Sequence, residues 1–384
     1  MKAIINAKVV LPDTVIKDGV VLFDNGKILA AGKTQVPEGA EIIDAHGLYA
    51  GPGLVDEHCH GYKQYGERIK SNEDAAKMAA CHLMHGTTSI TPTAGYNLTK
   101  DEFKAVITQC NAAIESGKSS IRGIHFEGPF INPKRGAHSE RAWQFSREVL
   151  EEIFSLAGKN VKHMTYAPEL DSGKEIEKFA SEKNVVLDVG HTMAAPEDVE
   201  RAFACGARIV THLFDAMSGG QCRTGDMQDS VSQVALSIEG YHYELICDSL
   251  GAHVTPYSMR FAYRCAGEDY INLVTDCTAH KDSAARTDAF AGMNTDDLNF
   301  NDLGQLSGSR LTLNRACRNF MKATGADVRV AFKCASTNPA KSVGIFDQAG
   351  SLEKGKRADI LLTDEDFIVK EIWFGGEKLA EIRN

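Results

Sequence analysis

Eight short apolar runs, at residues 53–56, 87–91, 121–126, 161–166, 185–189, 208–211, 243–247 and 271–275, recur along this 384-residue chain with helix-like stretches in the gaps. The runs are close to continuously apolar, as a strand covered on both faces requires. The stretches at 72–85, 100–116, 146–157, 173–183, 195–205 and 309–324 place apolar residues at helical spacing. Eight repeats of strand then helix predict an α/β fold of the closed, TIM-like (β/α)8 kind. A doubly wound sheet would want a G-x-G-x-x-G turn after its first strand, and none stands there.

The two ends read differently. Short β-rich runs at 3–10, 19–23, 27–30 and 41–44 are separated by turn signals, Asn25-Gly26 being the strongest hairpin cue, and similar runs return at 358–362, 368–374 and 377–382. The expectation is a small β-sandwich domain formed by both chain termini, 1–50 with 345–384, around a barrel of 51–344.

Composition narrows the partners. A net charge of −10 argues against nucleic acid. No run approaches the roughly 18 apolar residues of a membrane span, and the N-terminal run is too short and polar for a signal peptide. Ten cysteines without one C-x-x-C pair read as free thiols in a reducing cytoplasm.

Barrels of this kind carry their chemistry at the C-terminal ends of the strands. There the chain places Asp56-Glu57-His58-Cys59-His60, His125-Phe126-Glu127-Gly128-Pro129, Gly190-His191, Thr211-His212 and Thr275-Asp276. Strand alternation puts His58 and His60 on one face, where both can reach one ion. Any one of these residues alone reads equally as a structural histidine or a solvated carboxylate. Five strand ends supplying imidazole or carboxylate together suit a divalent metal such as zinc. Asp276 is the candidate proton carrier, a role compatible with metal ligation.

At these residues the chain resembles the amidohydrolase superfamily and, within it, the N-acetylglucosamine-6-phosphate deacetylase family. The resemblance is carried by Pro52 to Gly61, by His125 to Pro133 with Gly136-Ala137-His138, by Gly190-His191-Thr192, by Thr211 to Met217, by Val274-Thr275-Asp276, by Leu306 to Ser309 and by Asn338-Pro339-Ala340. It implies a divalent metal, one or two ions of zinc, iron or manganese, held by Glu127, His191 and His212 with His58 and His60. It implies deacetylation of an N-acetylated amino-sugar phosphate, with Asp276 as general base and then acid. It further implies contacts to this small-molecule substrate from Ala137, His138, Asp215, Ala216, Arg223, His253, Leu306 and Gly308, and a homodimer.

Two departures keep other readings open. The family usually has asparagine where Asp215 stands, and against the family's usual arrangement two extra residues separate Asp248 from His253. A differently phosphorylated or unphosphorylated amino sugar, or another N-acyl substrate, is therefore the alternative, with a non-catalytic sugar-binding barrel behind it. The polar segment 277–301 is either a lid or a solvated loop.

Overall fold

The computed structural model describes residues 1–66, 73–95, 97–136, 143–171, 173–217, 222–223, 226–227, 229–280, 290 and 292–384. Its central sheet has eight strands, hydrogen-bonded in chain order and parallel throughout. In sequence they are Leu54–Cys59, Thr87–Gly95, Ile124–Glu127, Val161–Tyr166, Val186–Val189, Ala207–Val210, His242–Ile246 and Ile271–Val274. All eight fall where the apolar runs predict them. The first and eighth meet at their C-terminal ends, where the Asp276 N–H donates to the His58 carbonyl at 2.9 Å and the His60 N–H to the Cys277 carbonyl at 2.8 Å. That contact closes the barrel at the end where the histidines sit.

The outer layer comprises α1 (Asp74–Leu83), α2 (Lys100–Glu115), α3 (Arg147–Ala157), α4 (Glu175–Lys183), α5 (Pro196–Ala204), α6 (Val231–Ser237), α7 (Pro256–Ala266) and α8 (Leu313–Thr324). Local chemistry sets their starts. Thr99 accepts from the Glu102 N–H while the Glu102 carboxylate accepts from the Thr99 N–H, and Ser230 and Gln233 repeat this reciprocal cap ahead of α6. Helices α6 and α7 lie in a stretch where the sequence reading names no helix. The first has only seven residues, and α7 buries only Met259 and Ala262.

The terminal strands build a separate sheet, in which Lys2–Leu11, Thr14–Asp24, Lys27–Gly32, Glu41–Asp44 and Tyr49–Pro52 join Ile360–Thr363, Val369–Phe374 and Glu377–Lys378. Ile4, Val9, Phe23 and Ile28 from one end of the chain share a single buried cluster with Ile360, Leu362 and Trp373 from the other. Each terminus alone would leave that cluster half exposed, so the sheet needs both ends of the chain.

Inside the barrel the lumen is polar. Glu57, Thr91, Thr93, His125, His163, Thr165, Asp188, Glu244 and Asn272 are all fully buried there or on the strands around it. His125 stacks on His163 with ring centroids 4.0 Å apart, and hydroxyls of Thr93 and Thr165 take its two nitrogens at 3.0 Å. Buried polar groups of this density are tolerated only when paired, and here most are.

Candidate active site

Six side chains from five strand ends converge on one point. Glu127, on the last residue of the third strand, lies 2.8 Å from His191 Nε2 and 3.3 Å from His212 Nε2 through one carboxylate oxygen. Its other oxygen is 3.2 Å from His60 Nε2. The Asp276 carboxylate lies 3.3 Å from His60 Nε2 and 3.6 Å from His58 Nε2. Two trios result, His58 with His60 and Asp276, and Glu127 with His191 and His212, and Glu127 faces both.

The imidazole pairs test whether a metal fits. His58 and His60 bring their Nε2 atoms to 3.3 Å of each other, and His191 and His212 theirs to 3.0 Å. Two N–H groups cannot point at each other at such distances, whereas lone pairs from both rings, with carboxylate oxygens beside them, form the nitrogen and oxygen donor set of a divalent ion. The outward nitrogens support this reading. His58 Nδ1 lies 2.9 Å from Glu244 Oε2, and His191 Nδ1 lies 3.2 Å from the Arg135 carbonyl, so each ring can present Nε2 inward.

Glu244, in the middle of the seventh strand, is a residue the sequence reading missed. The oxygen that faces His58 also accepts the His212 backbone N–H at 3.0 Å, and the Glu244 carbonyl accepts the Leu213 N–H at 2.8 Å. One buried glutamate thus holds a member of each trio. Its signal in the sequence is an acid standing inside the otherwise apolar run 243–247.

Without an ion the cluster is strongly polarised. Burial alone would raise the Glu127 pKa, but His191 and His60 hold it well below the usual carboxylate range. Burial acts the same way on Asp276 and is outweighed by the hydrogen bond from His60 and the charge of His58. For His212 burial works downward, yet Glu127 and Asp215 bring it to about 9.

The remaining expected residues divide into three groups. Asp215, Ala216, Leu306 and Gly308 line the cavity over the cluster, together with Asn97, Gly136, Thr278 and Ser307, which the sequence reading did not assign to substrate contact. Asp215 turns its carboxylate onto the Ala216 N–H at 2.8 Å. His253 is buried but is not among the lining residues. Its Nδ1 is 3.1 Å from Asp248, whose two oxygens also accept the Leu250, Ala252 and His253 N–H groups, so the loop 248–253 is wound on one carboxylate. Ala137, His138 and the Arg223 side chain lie outside the described residues. Of the segment 277–301, residues 281–289 and 291 also lie outside them, while Leu298–Phe300 pairs with Leu306–Ser309 and so backs the strand that lines the cavity.

A parallel barrel with imidazole and carboxylate ligand sets at its strand ends defines a class, and the chain belongs to the amidohydrolase family, whose model matches residues 49–382. Within that class its relatives are specific. It is 30% identical over 373 residues to the N-acetylglucosamine-6-phosphate deacetylase of Bacillus subtilis, covering 93% of this chain and 92% of that one. The human enzyme of the same name is 29% identical over 351 residues, covering 87% and 84%. The crystal structure of N-acetylglucosamine-6-phosphate deacetylase from Pasteurella multocida superimposes with a TM-score of 0.87 at 26% identity, over 99% of this chain and 100% of that one.

Proposed function

We propose that the chain hydrolyses the acetamide of N-acetylglucosamine 6-phosphate, giving glucosamine 6-phosphate and acetate. The observation that carries this reading is the convergence of Glu127, His191 and His212 with His58, His60 and Asp276 at the closed end of a barrel whose relatives bear that activity. Glu127, His191 and His212 would hold one divalent ion, and His58, His60 and Asp276 could hold a second. Zinc is the first assignment, and iron or manganese suits the same donors. When bound, such an ion polarises the scissile carbonyl and lowers the pKa of water.

The protein's own groups do the rest. Asp276, a carboxylate anion at neutral pH, takes the proton of the attacking water. It returns that proton to the amide nitrogen as the C–N bond breaks, because an amine leaves far more readily than its anion. Asp215, Ala216, Leu306 and Gly308 border the space for the sugar. On the family resemblance we also assign Arg223, Ala137 and His138 to substrate contact, together with His253, which is buried but not among the residues lining the cavity.

The proposal extends to a catalytic barrel of 51–344, a sheet domain of 1–50 with 345–384, and a homodimer. It also includes a reducing cytoplasm, supported by the free thiols of the described cysteines. No helix among the described residues is long and apolar enough to cross a membrane. Acetate release before and after chelation tests the core of the proposal. Activity should vanish with the metal and return with zinc, and full turnover by metal-free protein would refute the reading.

A further inference from the structure

The barrel has a second cavity, of about 700 Å3, away from the metal ligands. It opens at the N-terminal end, between the starts of the fourth and fifth strands and the C-terminal ends of α3 and α4. Val161, Val186 and Leu187 give it apolar surface, while Lys159, Lys162, Lys183 and Lys341 also line it. We propose that this cavity is a binding site for a small polyvalent anion of the organic-phosphate class, separate from the catalytic centre.

The charge pattern carries the argument. In a chain with 52 acidic residues and a net charge of −10, no aspartate or glutamate lines this cavity among the described residues. Lysines at helix C-termini are ordinarily explained by the partial negative charge there, or by hydrogen bonds to the last carbonyls. Here none of the four has a described ion pair or carbonyl hydrogen bond, although Lys183 and Lys341 each lie over an aromatic ring, Phe179 at 5.5 Å and Phe346 at 5.2 Å. A helix terminus supplies only about half a negative charge, so α3 and α4 together offset about one of the four positive charges, and the carboxylates that act on Lys162 and Lys341, those of Asp347 and Glu353, stand outside the lining.

Lys162 is half-buried, and that burial lowers its pKa; Asp347 opposes the shift and the neighbouring Lys159 adds a smaller push in the same direction. A dianion or trianion in the cavity would relieve the repulsion between these ammonium groups. The hydroxyls of Ser155 and Ser181 stand on the same wall and can donate to phosphate oxygens. The volume lies within the roughly 300–1,000 Å3 typical of small-molecule sites. The apolar surface favours an organic phosphate over a bare inorganic ion.

Lysine footprinting tests the site on the metal-loaded protein. Acetylation by a water-soluble N-hydroxysuccinimide ester is followed residue by residue by mass spectrometry, with fructose 1,6-bisphosphate as the probe. The site predicts labelling slowed about 3-fold or more at Lys159, Lys162, Lys183 and Lys341, with Lys118 and Lys354, as exposed as Lys159, Lys183 and Lys341, unchanged. In the double variant Lys162→Met/Lys341→Met the protection of Lys159 and Lys183 should disappear, and in Lys162→Arg/Lys341→Arg it should persist. Unchanged rates at the four lysines, or an equal slowing at Lys118 and Lys354, would overturn the proposal, as would full protection in the Met variant.

Discussion

Asp276 and Glu244 hold the two side-chain roles on which the chemistry turns, and one change at each separates proton transfer from metal holding. Asp276→Asn removes the proton acceptor but keeps an oxygen near His60. It should lower kcat by about 10²- to 10⁴-fold with an unchanged circular dichroism spectrum. Wild-type turnover in that variant would remove Asp276 from the mechanism. Glu244→Gln keeps the shape but loses the anion that faces His58 and accepts the His212 N–H. Metal affinity measured by competition with a chelator should fall about 10- to 100-fold, and an unchanged affinity would show that Glu244 does not position these rings. His58, His60, Glu127, His191, His212 and Asp276 were legible because strand ends are where a barrel keeps reactive groups. Glu244 was not, because strand-end logic does not search the middle of a strand. The backbone was also hidden: His191, His212, Phe214, Ala216 and Asp276 take φ of 46°, 29°, 80°, 49° and 44°. Left-handed conformations cost non-glycine residues energy and are held by surrounding structure, so no local pattern announces them.

Among the elements, the barrel strands were readable because burial on both faces leaves a near-continuous apolar signature. Helices α6 and α7 escaped, one with seven residues and the other with a narrow buried face. The strand Leu306–Ser309 shows how an element serves the site without contributing a charge. Gly308 has φ +57°, and an added Cβ would meet Thr278 Cγ2 at 2.5 Å and the Asp276 carbonyl at 2.7 Å. Gly308→Ala should therefore destabilise the protein by about 1–3 kcal/mol, read as a lowered Tm. A wild-type Tm would show that the strand moves aside without cost. The Asp248 loop is a comparable case: four hydrogen bonds converging on one carboxylate hold the segment 248–253 in place.

At the scale of the whole molecule, the terminal sheet is tied to the barrel through the short helix Val328–Phe332 and the residue after it. Arg329 donates to both oxygens of Glu268 at 2.9 and 2.6 Å and to the Pro12 carbonyl at 2.9 Å, while Lys333 reaches Asp13 at 2.9 Å. The Arg329 hydrogen bonds bring the Glu268 pKa to about 2 against burial, with Lys333 adding to the fall. A depressed carboxylate stabilises the fold above its unfolded pKa near 4.5 and loses that contribution as pH falls toward 2. Glu268→Gln should accordingly melt below wild type at pH 7, and the gap should close between about pH 4.5 and 2. A gap that persists at pH 2 would contradict the assignment. The two-ended sheet was foreseeable from turn-rich β runs at both termini, whereas this clamp joins residues more than 300 positions apart and left no local trace. The account stands or falls on the reaction itself. The most direct measurement is kcat/KM for acetate release by metal-reconstituted protein, comparing N-acetylglucosamine 6-phosphate with unphosphorylated N-acetylglucosamine. A preference of ~100-fold for the phosphorylated sugar, about 2.7 kcal/mol of transition-state discrimination, is the predicted result, and turnover of neither sugar would contradict it.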